Sequence, residues 1–504
     1  MKIGREVAFV SPIRSKINDL ISQGEVPFAA RSAVNVLIGE ILVKICEIAE
    51  SLLGVQLFVK VFGDEFDYID SKLKKLLNRL LAEGIVESFR FKLPAAEWPK
   101  VIYASASLGS IGLPSGIARK LSGATGGGCA LDYNTAMAKS LAESLERYSL
   151  CLHDPKNFIQ GTFEDVKSKN PLDIRKFENF SERQLQNPVY HKNHYFNEKT
   201  KFGWVMAQSF LDSRERLVPA QLAFLFYETS EGEPTIRQTT TNGAAAGSSW
   251  EMAAYNAMCE NIERDSLMIF WLNRLAPPKI DLSSITDEKT KNIIDQCRRY
   301  RINLTVFDIT TDLGIPVFLG VVLDDTKGRY SVHVSPRADL DSDAAIFHAI
   351  VDSLKVGVSK NVSMDEIDAA NKKAPDLRTL DDRKLFWADS KRLKDIEFLF
   401  QGPMCPVPEN GFAAATYDKK LAELKRIFET RHSEAYLVDV TAPIARESGL
   451  TVLMSIIPEL YPLYLNEHFK YLGIKRLYEA PVKMGHLQVP RKEEEMNPVP
   501  HPML

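Results

Sequence analysis

E-x-x-E-R-x-S stands twice in this chain, as Glu143-Ser-Leu-Glu146-Arg147-Tyr-Ser149 and as Glu260-Asn-Ile-Glu263-Arg264-Asp-Ser266. Glu260 follows Glu143 by 117 residues, and a stretch of small residues precedes each copy. Internal repetition of a motif is the sequence signature of a duplicated structural unit. The repeat therefore predicts an architecture in which one local unit is built twice.

Glycine-rich stretches lead into both copies, Gly123–Gly128 (G-A-T-G-G-G) and Asn242–Gly247 (N-G-A-A-A-G). Each stretch predicts a loop followed by the helix that carries the motif. Ser248, with Glu251 three residues later, predicts a capping box at the start of the second helix. The amides and the positive dipole end of that helix would then face an anion.

The two glutamates of each copy lie three residues apart, so they share one helix face although their like charges repel. Around Glu260 and Glu263 the sequence is almost entirely apolar, which predicts a buried helix. Buried carboxylates need cations, either the neighbouring arginines or metal ions, because an unpaired buried charge is very costly. A ligand set made only of oxygens favours Mg²⁺ over zinc.

Four glutamates, two arginines and two glycine-rich loops together indicate a site for a triphosphate with Mg²⁺. Neither loop has the Walker A spacing or the G-x-G-x-x-G spacing of dinucleotide-binding loops. From spacing alone, nucleotide binding and a purely structural ion-pair network stay equally open.

The rest of the chain alternates β-branched runs with helical patterns, which indicates an α/β or α+β layer fold. The best strand candidates are Leu304–Phe307, Val317–Val322 and Val452–Ile457.

The first part of the chain has its own pattern. Amphipathic helices are predicted over Val34–Leu53 and Asp64–Ala82, and the strand-like run Ile85–Phe91 follows. This order predicts a small, winged-helix-like domain over residues 1–95, followed by a larger domain over residues 96–504.

Composition excludes several classes of protein. Among 504 residues there are 63 Lys and Arg against 66 Asp and Glu, a net charge of −3, which argues against a basic nucleic-acid binder. The six cysteines are scattered without a C-x-x-C pair, which predicts neither a structural zinc site nor a disulfide framework. The most apolar N-terminal stretch, Val34–Phe62, is interrupted by charged residues, so we expect a cytoplasmic protein without a membrane segment.

At the repeated motif the chain resembles the YcaO family of ATP-dependent enzymes that modify peptide backbones. The family's S-x-x-E-x-x-E-R stands here as Ser140–Arg147, and its N-G-x-A-x-G and E-x-x-E-R-D blocks stand as Asn242–Gly247 and Glu260–Asp265. Further similarity runs through Asp308–Pro316 and Asp439–Pro443. The resemblance covers about residues 100–504 and implies a duplicated YcaO-type ATP-binding core.

The resemblance also implies roles for individual residues, with ATP and Mg²⁺ as cofactors. Mg²⁺ would be bound by Glu143, Glu146, Glu260 and Glu263. The residues implied to contact nucleotide or metal are Ser140, Glu143, Glu146, Arg147, Asn242, Glu260, Glu263, Arg264 and Asp352.

Two departures from the family weaken this transfer. Many members have a lysine where this chain has Gly126–Gly128, and a third family helix commonly carries arginine, glutamate and glutamine where this chain has His348 and Asp352.

The C-terminus, Asn497–Leu504 (N-P-V-P-H-P-M-L), has proline at alternate positions, which excludes helix and leaves a pre-extended segment. A disordered appendage is the simplest interpretation. The ending also resembles the P-x-P-x-P tail of azoline-forming YcaO cyclodehydratases, which reaches the active site. This resemblance implies that Pro500, His501 and Leu504 act at the reacting centre, with acid–base work by the Leu504 carboxylate or by His501.

The implied reaction is cyclodehydration of Cys, Ser or Thr in a ribosomally made precursor peptide, as in thiazole/oxazole-modified microcins. Thioamide or amidine formation is one alternative, and a catalytically weak scaffold or regulatory subunit is another. The implied partners are the precursor peptide, a ThiF-like leader-binding protein, in some cases a flavin dehydrogenase, and a second copy of this chain in a dimer within the complex.

Overall fold

The protein is described by a computed structural model over residues 6–8, 69–92, 94, 98–121, 124–324, 331–355, 363–373 and 377–503. The predicted helix over Val34–Leu53 and the terminal Leu504 lie outside the described residues.

Fifteen strands and fourteen α-helices occur within that part of the chain. The strands are β1 Glu6–Ala8, β2 Val86–Lys92, β3 Ile102–Leu108, β4 Thr125–Ala130, β5 Ile159–Gly161, β6 Phe202–Ser209, β7 Glu215–Pro219, β8 Ala244–Gly247, β9 Lys279–Ile280, β10 Asn303–Asp308, β11 Val317–Leu323, β12 Val332–Ala338, β13 Met404–Cys405, β14 Tyr436–Asp439 and β15 Thr451–Ile456. The helices are α1 Ser71–Ala82, α2 Ser115–Leu121, α3 Tyr133–Cys151, α4 Phe163–Val166, α5 Glu182–Leu185, α6 Pro188–His194, α7 Trp250–Leu272, α8 Glu288–Arg299, α9 Ser342–Ser353, α10 Met364–Lys373, α11 Leu380–Phe386, α12 Tyr417–Arg431, α13 Pro443–Glu447 and α14 Arg476–Lys483.

The chain divides into two compact units. Unit 1 comprises Met1–Ala95, Val101–Leu152 and Ala442–Leu450, and unit 2 comprises Ala96–Lys100, His153–Thr441 and Thr451–Leu504.

Unit 1 is built on an antiparallel sheet of order β1-β2-β3-β4, and α3 packs against β3 and β4. Asp70 caps α1 through its side chain, and Gly84 follows the helix with a positive φ of 71°. The prediction that a helix ending at Ala82 leads into a strand is confirmed. The boundary predicted at residue 95 falls between β2 and β3, which pair in one sheet, and the separate N-terminal domain stays a prediction.

Unit 2 contains two sheets and the long helix α7. One sheet has the order β12-β11-β10-β9-β13, and the other has the order β5-β6-β14-β15-β8 with β7 paired to β6. Helix α7 contacts β8, β12 and β15, and most of its side chains are buried, as its apolar sequence predicts.

The pairing of strands settles the fold class. Antiparallel pairs form almost all of the described ladders, so the layers are of the α+β kind. All three strand candidates are confirmed as β10, β11 and β15. Across the described residues, no helix has both the length and the apolar character needed to cross a membrane.

The glycine-rich stretches differ from prediction, because they end in strands rather than loops. Gly126 and Gly128 lie in β4 facing α3, where an added β-carbon would stand 2.2 Å from Ser144 Oγ and 2.1 Å from the Ala136 carbonyl oxygen. A β-carbon on Gly247 of β8 would likewise stand 2.5 Å from the Ala253 nitrogen at the start of α7. Glycine is needed in both places so that the strand can lie directly against the helix that carries the motif.

We predict that Gly128→Ala destabilises the protein by at least about 1–3 kcal/mol, because the new methyl group meets helix backbone that cannot move aside. Gly411→Ala is the control, since nothing lies within 4 Å of its β-carbon position, and we expect a change within about 0.5 kcal/mol. Urea unfolding of both variants measures the difference. Equal stabilities would contradict the close packing of β4 on α3.

Candidate functional site

The first glutamate cluster, Glu143, Glu146 and Arg147, lies on α3 in unit 1. Glu143 Oε2 accepts a hydrogen bond from the Gly127 amide at 2.5 Å, and Oε1 accepts one from Arg147 Nη2 at 2.6 Å. The Glu143 side chain is 31% exposed and that of Arg147 29%. One carboxylate therefore ties strand β4 to the arginine one helical turn further along α3.

The second glutamate cluster, Glu260, Glu263 and Arg264, lies on α7 in unit 2. Glu260 Oε2 accepts from the Gly243 amide at 3.0 Å, and Oε1 accepts from Arg264 Nη2 at 2.7 Å. These are the contacts that Glu143 makes with Gly127 and Arg147. The repeat in the sequence is thus a repeat of one arrangement of glycine amide, carboxylate and guanidinium, in which Gly127 lies in β4 and Gly243 directly precedes β8.

Glu263 is more deeply buried than the other described members of the clusters, with 3% of its surface exposed. Its Oε1 accepts from the Ala338 amide at 3.1 Å, and Arg264 Nη1 stands 3.4 Å from its Oε2. Burial raises the pKa of the Glu263 carboxyl, while Arg337 and Arg264 act in the opposite direction. Desolvation is the larger effect, so this carboxylate is incompletely compensated by its protein partners.

Arg337 is the residue of this region that the sequence analysis missed. It lies on β12, where Nε and Nη2 both donate to Asp352 Oδ2, the Nε bond at 2.7 Å, and Nη1 stands 3.8 Å from Glu263 Oε1. Asp352, predicted as a ligand of nucleotide or metal, is therefore held by an arginine from the neighbouring strand. The sequence spacing does not link Arg337 to Asp352. The one signal that could have pointed to Arg337 is that a buried Asp352 carboxylate needs a positively charged partner.

Ser140 and Asn242 hold backbone segments beside the clusters. Ser140 is fully buried and its Oγ donates to the Gly126 carbonyl oxygen at 2.9 Å. Asn242 Nδ2 donates to the Leu463 carbonyl oxygen at 3.0 Å. Their nucleotide contacts remain predictions.

Two further details concern α7. The aspartate of E-R-D, Asp265, is buried and paired with Arg476, whose Nε lies 2.8 Å from Oδ2. The predicted cap at Ser248 is wrong by one residue, because Ser249 is the N-cap and accepts from the Met252 amide.

The C-terminal tail, here Asn497–Met503, is packed against unit 2 rather than being a loose appendage. The Asn497 amide donates to the Leu272 carbonyl oxygen at 2.7 Å, and Pro500, His501 and Pro502 are buried. At its end, Met503 Sδ lies 3.4 Å from Arg264 Nη1. The tail therefore reaches the arginine of the second glutamate cluster, one residue before Leu504.

His501 is held rigidly inside this packing. Its Nε2 lies 2.6 Å from the Tyr464 carbonyl oxygen, and burial together with nearby Arg383 lowers the pKa of the imidazole well below its usual value. The ring is therefore neutral and carries its proton on Nε2. This geometry favours an anchoring role, and an acid–base role for His501 stays a prediction.

The donor chemistry of both clusters fits Mg²⁺ and phosphate. Each has two carboxylates against one arginine of its own, and carboxylate oxygens are the preferred protein ligands of Mg²⁺. Within the described residues, the Nε atoms of Arg147 and Arg264 are buried without a hydrogen-bond partner, as are those of Arg237, Arg383, Arg392 and Arg491. Across the same residues, no three His, Cys, Asp or Glu side chains converge into a metal-binding group. Any metal bound here would thus share these carboxylates with arginine.

We predict that the stability advantage of the native protein over Glu263→Gln shrinks as pH rises. The folded-state pKa of Glu263 is raised, so its contribution is fully present below the unfolded value of about 4.3 and is lost as pH rises through the folded pKa. Urea unfolding of both proteins between pH 4 and pH 7 in EDTA, which keeps metal away, measures this difference. Parallel pH profiles would show that the carboxylate is fully compensated by its arginines.

The fold has close counterparts among solved structures. A heterocyclase in complex with substrate and cofactor matches with a TM-score of 0.67 at 23% identity, over 86% of this chain and 57% of that one. YcaO from Methanopyrus kandleri, bound with AMPPCP and Mg²⁺, matches with a TM-score of 0.55 at 15% identity, over 79% of this chain and 92% of that one. The E. coli microcin synthetase McbBCD complex with pro-MccB17 bound matches with a TM-score of 0.55 at 14% identity, over 82% of this chain and 97% of that one. At these identities the similarity establishes the α+β fold.

Two sequence relatives match over shorter segments. An uncharacterized protein of Methanothermobacter thermautotrophicus is 26% identical over 31% of this chain, and an uncharacterized protein in the tfuA 3′ region of Rhizobium leguminosarum bv. trifolii is 31% identical over 27%. The chain spans 40% and 31% of these two relatives.

The decisive match is to a family profile described as YcaO cyclodehydratase, ATP- and Mg²⁺-binding, over residues 127–461. That span contains both glutamate clusters, all of β8, and β4 from Gly127 onward. The expectation of ATP and Mg²⁺ as cofactors is confirmed at the level of the family. The chain belongs to the YcaO family.

Proposed function

We propose that this protein catalyses ATP-dependent cyclodehydration of Cys, Ser or Thr residues in a ribosomally made precursor peptide, forming thiazoline or oxazoline rings. The observation that carries the proposal is the contact of Met503, at the end of the proline-rich tail, with Arg264 of the second glutamate cluster. This contact brings the tail to an arginine of the repeated motif, which lies within the span of the YcaO family match.

In this proposal Glu143, Glu146, Glu260 and Glu263 hold Mg²⁺, and the free Nε atoms of Arg147 and Arg264 bind phosphate oxygens. When bound, ATP supplies the phosphoryl group that turns the amide oxygen of the peptide into a phosphate leaving group. The protein's part is to fix these charges in place before the reaction, so that no solvent reorganisation is needed as charge moves. Ser140, Asn242 and Asp352 support the same binding region.

The tail brings its last residues to Arg264, and we propose that Leu504 and the preceding Pro500 and His501 complete the reacting centre. In this proposal, acid–base work falls to the Leu504 carboxylate or to His501, as the resemblance implies. The precursor peptide is the substrate partner in this proposal, with a ThiF-like leader-binding protein and in some systems a flavin dehydrogenase. The microcin synthetase with pro-MccB17 bound is a multi-protein assembly, which supports a partner-dependent enzyme.

A second candidate is a catalytically weak scaffold subunit. It is favoured by the glutamate–arginine pairs, since Glu143, Glu260 and Glu263 all have partners without any ligand. Phosphate release with precursor peptide and partner protein present separates the two candidates.

We predict that Glu143→Gln and Glu260→Gln each weaken binding of Mg²⁺ with an ATP analogue by at least about tenfold, because a charged ligand becomes neutral. Glu479→Gln is the matched control, because Glu479 forms the same i, i+4 pair with Lys483 on the exposed surface. Calorimetry measures the affinities, and far-UV circular dichroism checks the fold. Unchanged affinity in both site variants would return the clusters to a structural role.

We predict that removing Met503 and Leu504 alone lowers ring formation by about a hundredfold or more while affinity for the nucleotide changes little. This short truncation leaves the buried anchors Asn497 to Pro502 in place, so the melting temperature should hardly move. Mass spectrometry counts the waters lost from the precursor, with the partner present. Normal ring formation by the truncated enzyme would remove the tail from the reacting centre.

A further inference from the structure

The path of the tail is fixed by hydrogen bonds to its backbone carbonyls. Trp271 Nε1 donates to the Val499 carbonyl oxygen at 2.9 Å, and Trp387 Nε1 donates to that of His501 at 3.2 Å. Arg383 Nη1 donates to the same His501 oxygen at 2.8 Å. One carbonyl near the end of the chain is therefore held by two donors from α11 and the residue that follows it.

Arg383 is unusual because it is a fully buried cation that donates a hydrogen bond to the backbone of the tail. Its side chain has 0% exposure, and its Nη2 donates to Glu467 Oε1 at 2.8 Å and to the Leu465 carbonyl oxygen at 2.7 Å. Burying a guanidinium is costly unless it is paired and hydrogen-bonded, and both Nη atoms of Arg383 have partners whereas its Nε has none among the described residues. Here the partners are one carboxylate and two backbone carbonyls, one of which belongs to the tail.

Beyond this anchor, the described tail is short and stiff. Pro502 alone separates His501, whose carbonyl is anchored, from Met503, whose Sδ contacts Arg264. Proline fixes φ near −65°, so placing the His501 carbonyl restricts where Met503 can lie. A small shift at His501 is therefore passed on to the end of the chain.

We infer that Arg383 and Trp387 are positioning residues of the reaction, which act by clamping the His501 carbonyl so that the chain end stays at Arg264. The inference rests on the proposed function for its kinetic consequence, because a positioned tail matters only if the tail takes part in the chemistry. It extends the site to α11, which carries none of the repeated motif. The clamp has a function beyond packing because it determines where the last residues lie.

Trp387→Phe tests the clamp with the least disturbance, because it removes one indole donor and keeps an aromatic ring in the core. Trp204→Phe is the matched control, since Trp204 is equally buried and its Nε1 donates to the Gly161 carbonyl oxygen at 2.9 Å, far along the chain from the tail. Arg383→Met together with Trp387→Phe is the second variant, in which both donors to the His501 carbonyl are removed. Glu467 keeps Lys470 Nζ at 3.7 Å from its Oε2, so its carboxylate is not left unpaired.

The first readout needs no activity. Hydrogen exchange of the peptide covering residues 496–503 reports whether the tail leaves its site, and the exchange of α7 and β15 reports general loosening. We expect Trp387→Phe to raise exchange of the tail by about tenfold or more and to leave α7 and β15 unchanged, as for local opening. Trp204→Phe should leave the tail as in the native protein. Unchanged exchange of the tail in Trp387→Phe and in the double variant would overturn the clamp.

The second readout is the kinetics of ring formation with precursor and partner. We expect Trp387→Phe to lower kcat by about tenfold with KM for the peptide unchanged, because only the geometry at the chain end is altered. A released tail with native kcat would overturn the positioning role. If the native protein itself forms no rings, the proposed function fails, and hydrogen exchange still decides whether the clamp exists.

Discussion

One constraint underlies the structure: a carboxylate that lies between a helix and a strand needs a positively charged partner. Glu143 and Glu260 each meet that need in the same way, with a glycine amide in or next to the preceding strand on one oxygen and the arginine one turn along the helix on the other. An unpaired carboxylate at such a place would cost several kcal/mol. The same bonds hold the strand against the helix, so folding and the preparation of the site are one event.

These pairs also explain how one arrangement serves two purposes. A carboxylate paired with arginine is tolerated without ligand, and the same oxygens are the ones that Mg²⁺ prefers. Burial raises the pKa of the Glu263 carboxyl despite the arginines around it, and it does the same to Asp265, which is paired with Arg476.

Sequence reasoning predicted the parts of the fold that depend on local pattern. The repeated helix, strands β10, β11 and β15, and the helix ending at Ala82 follow from periodicity, and the motif directed attention to the correct glutamates. Sequence reasoning failed where the local structure depends on contacts with a segment distant in the chain. Gly126 and Gly128 look like a loop in sequence, and only pairing with β3 and packing on α3 make them a strand. Arg337 and Arg383 gave no signal, because their partners Asp352 and His501 come from other elements.

The central claim is that the carboxylates of the two clusters exchange arginine for magnesium when nucleotide binds. A crystal structure of the full chain with AMPPCP and Mg²⁺ tests it most directly. We expect Mg²⁺ at the carboxylate of Glu143 or Glu146 in the first cluster and Mg²⁺ at that of Glu260 or Glu263 in the second, with Arg147 and Arg264 turned to phosphate oxygens. Nucleotide bound elsewhere, with the Glu143–Arg147 and Glu260–Arg264 pairs intact, would contradict the account.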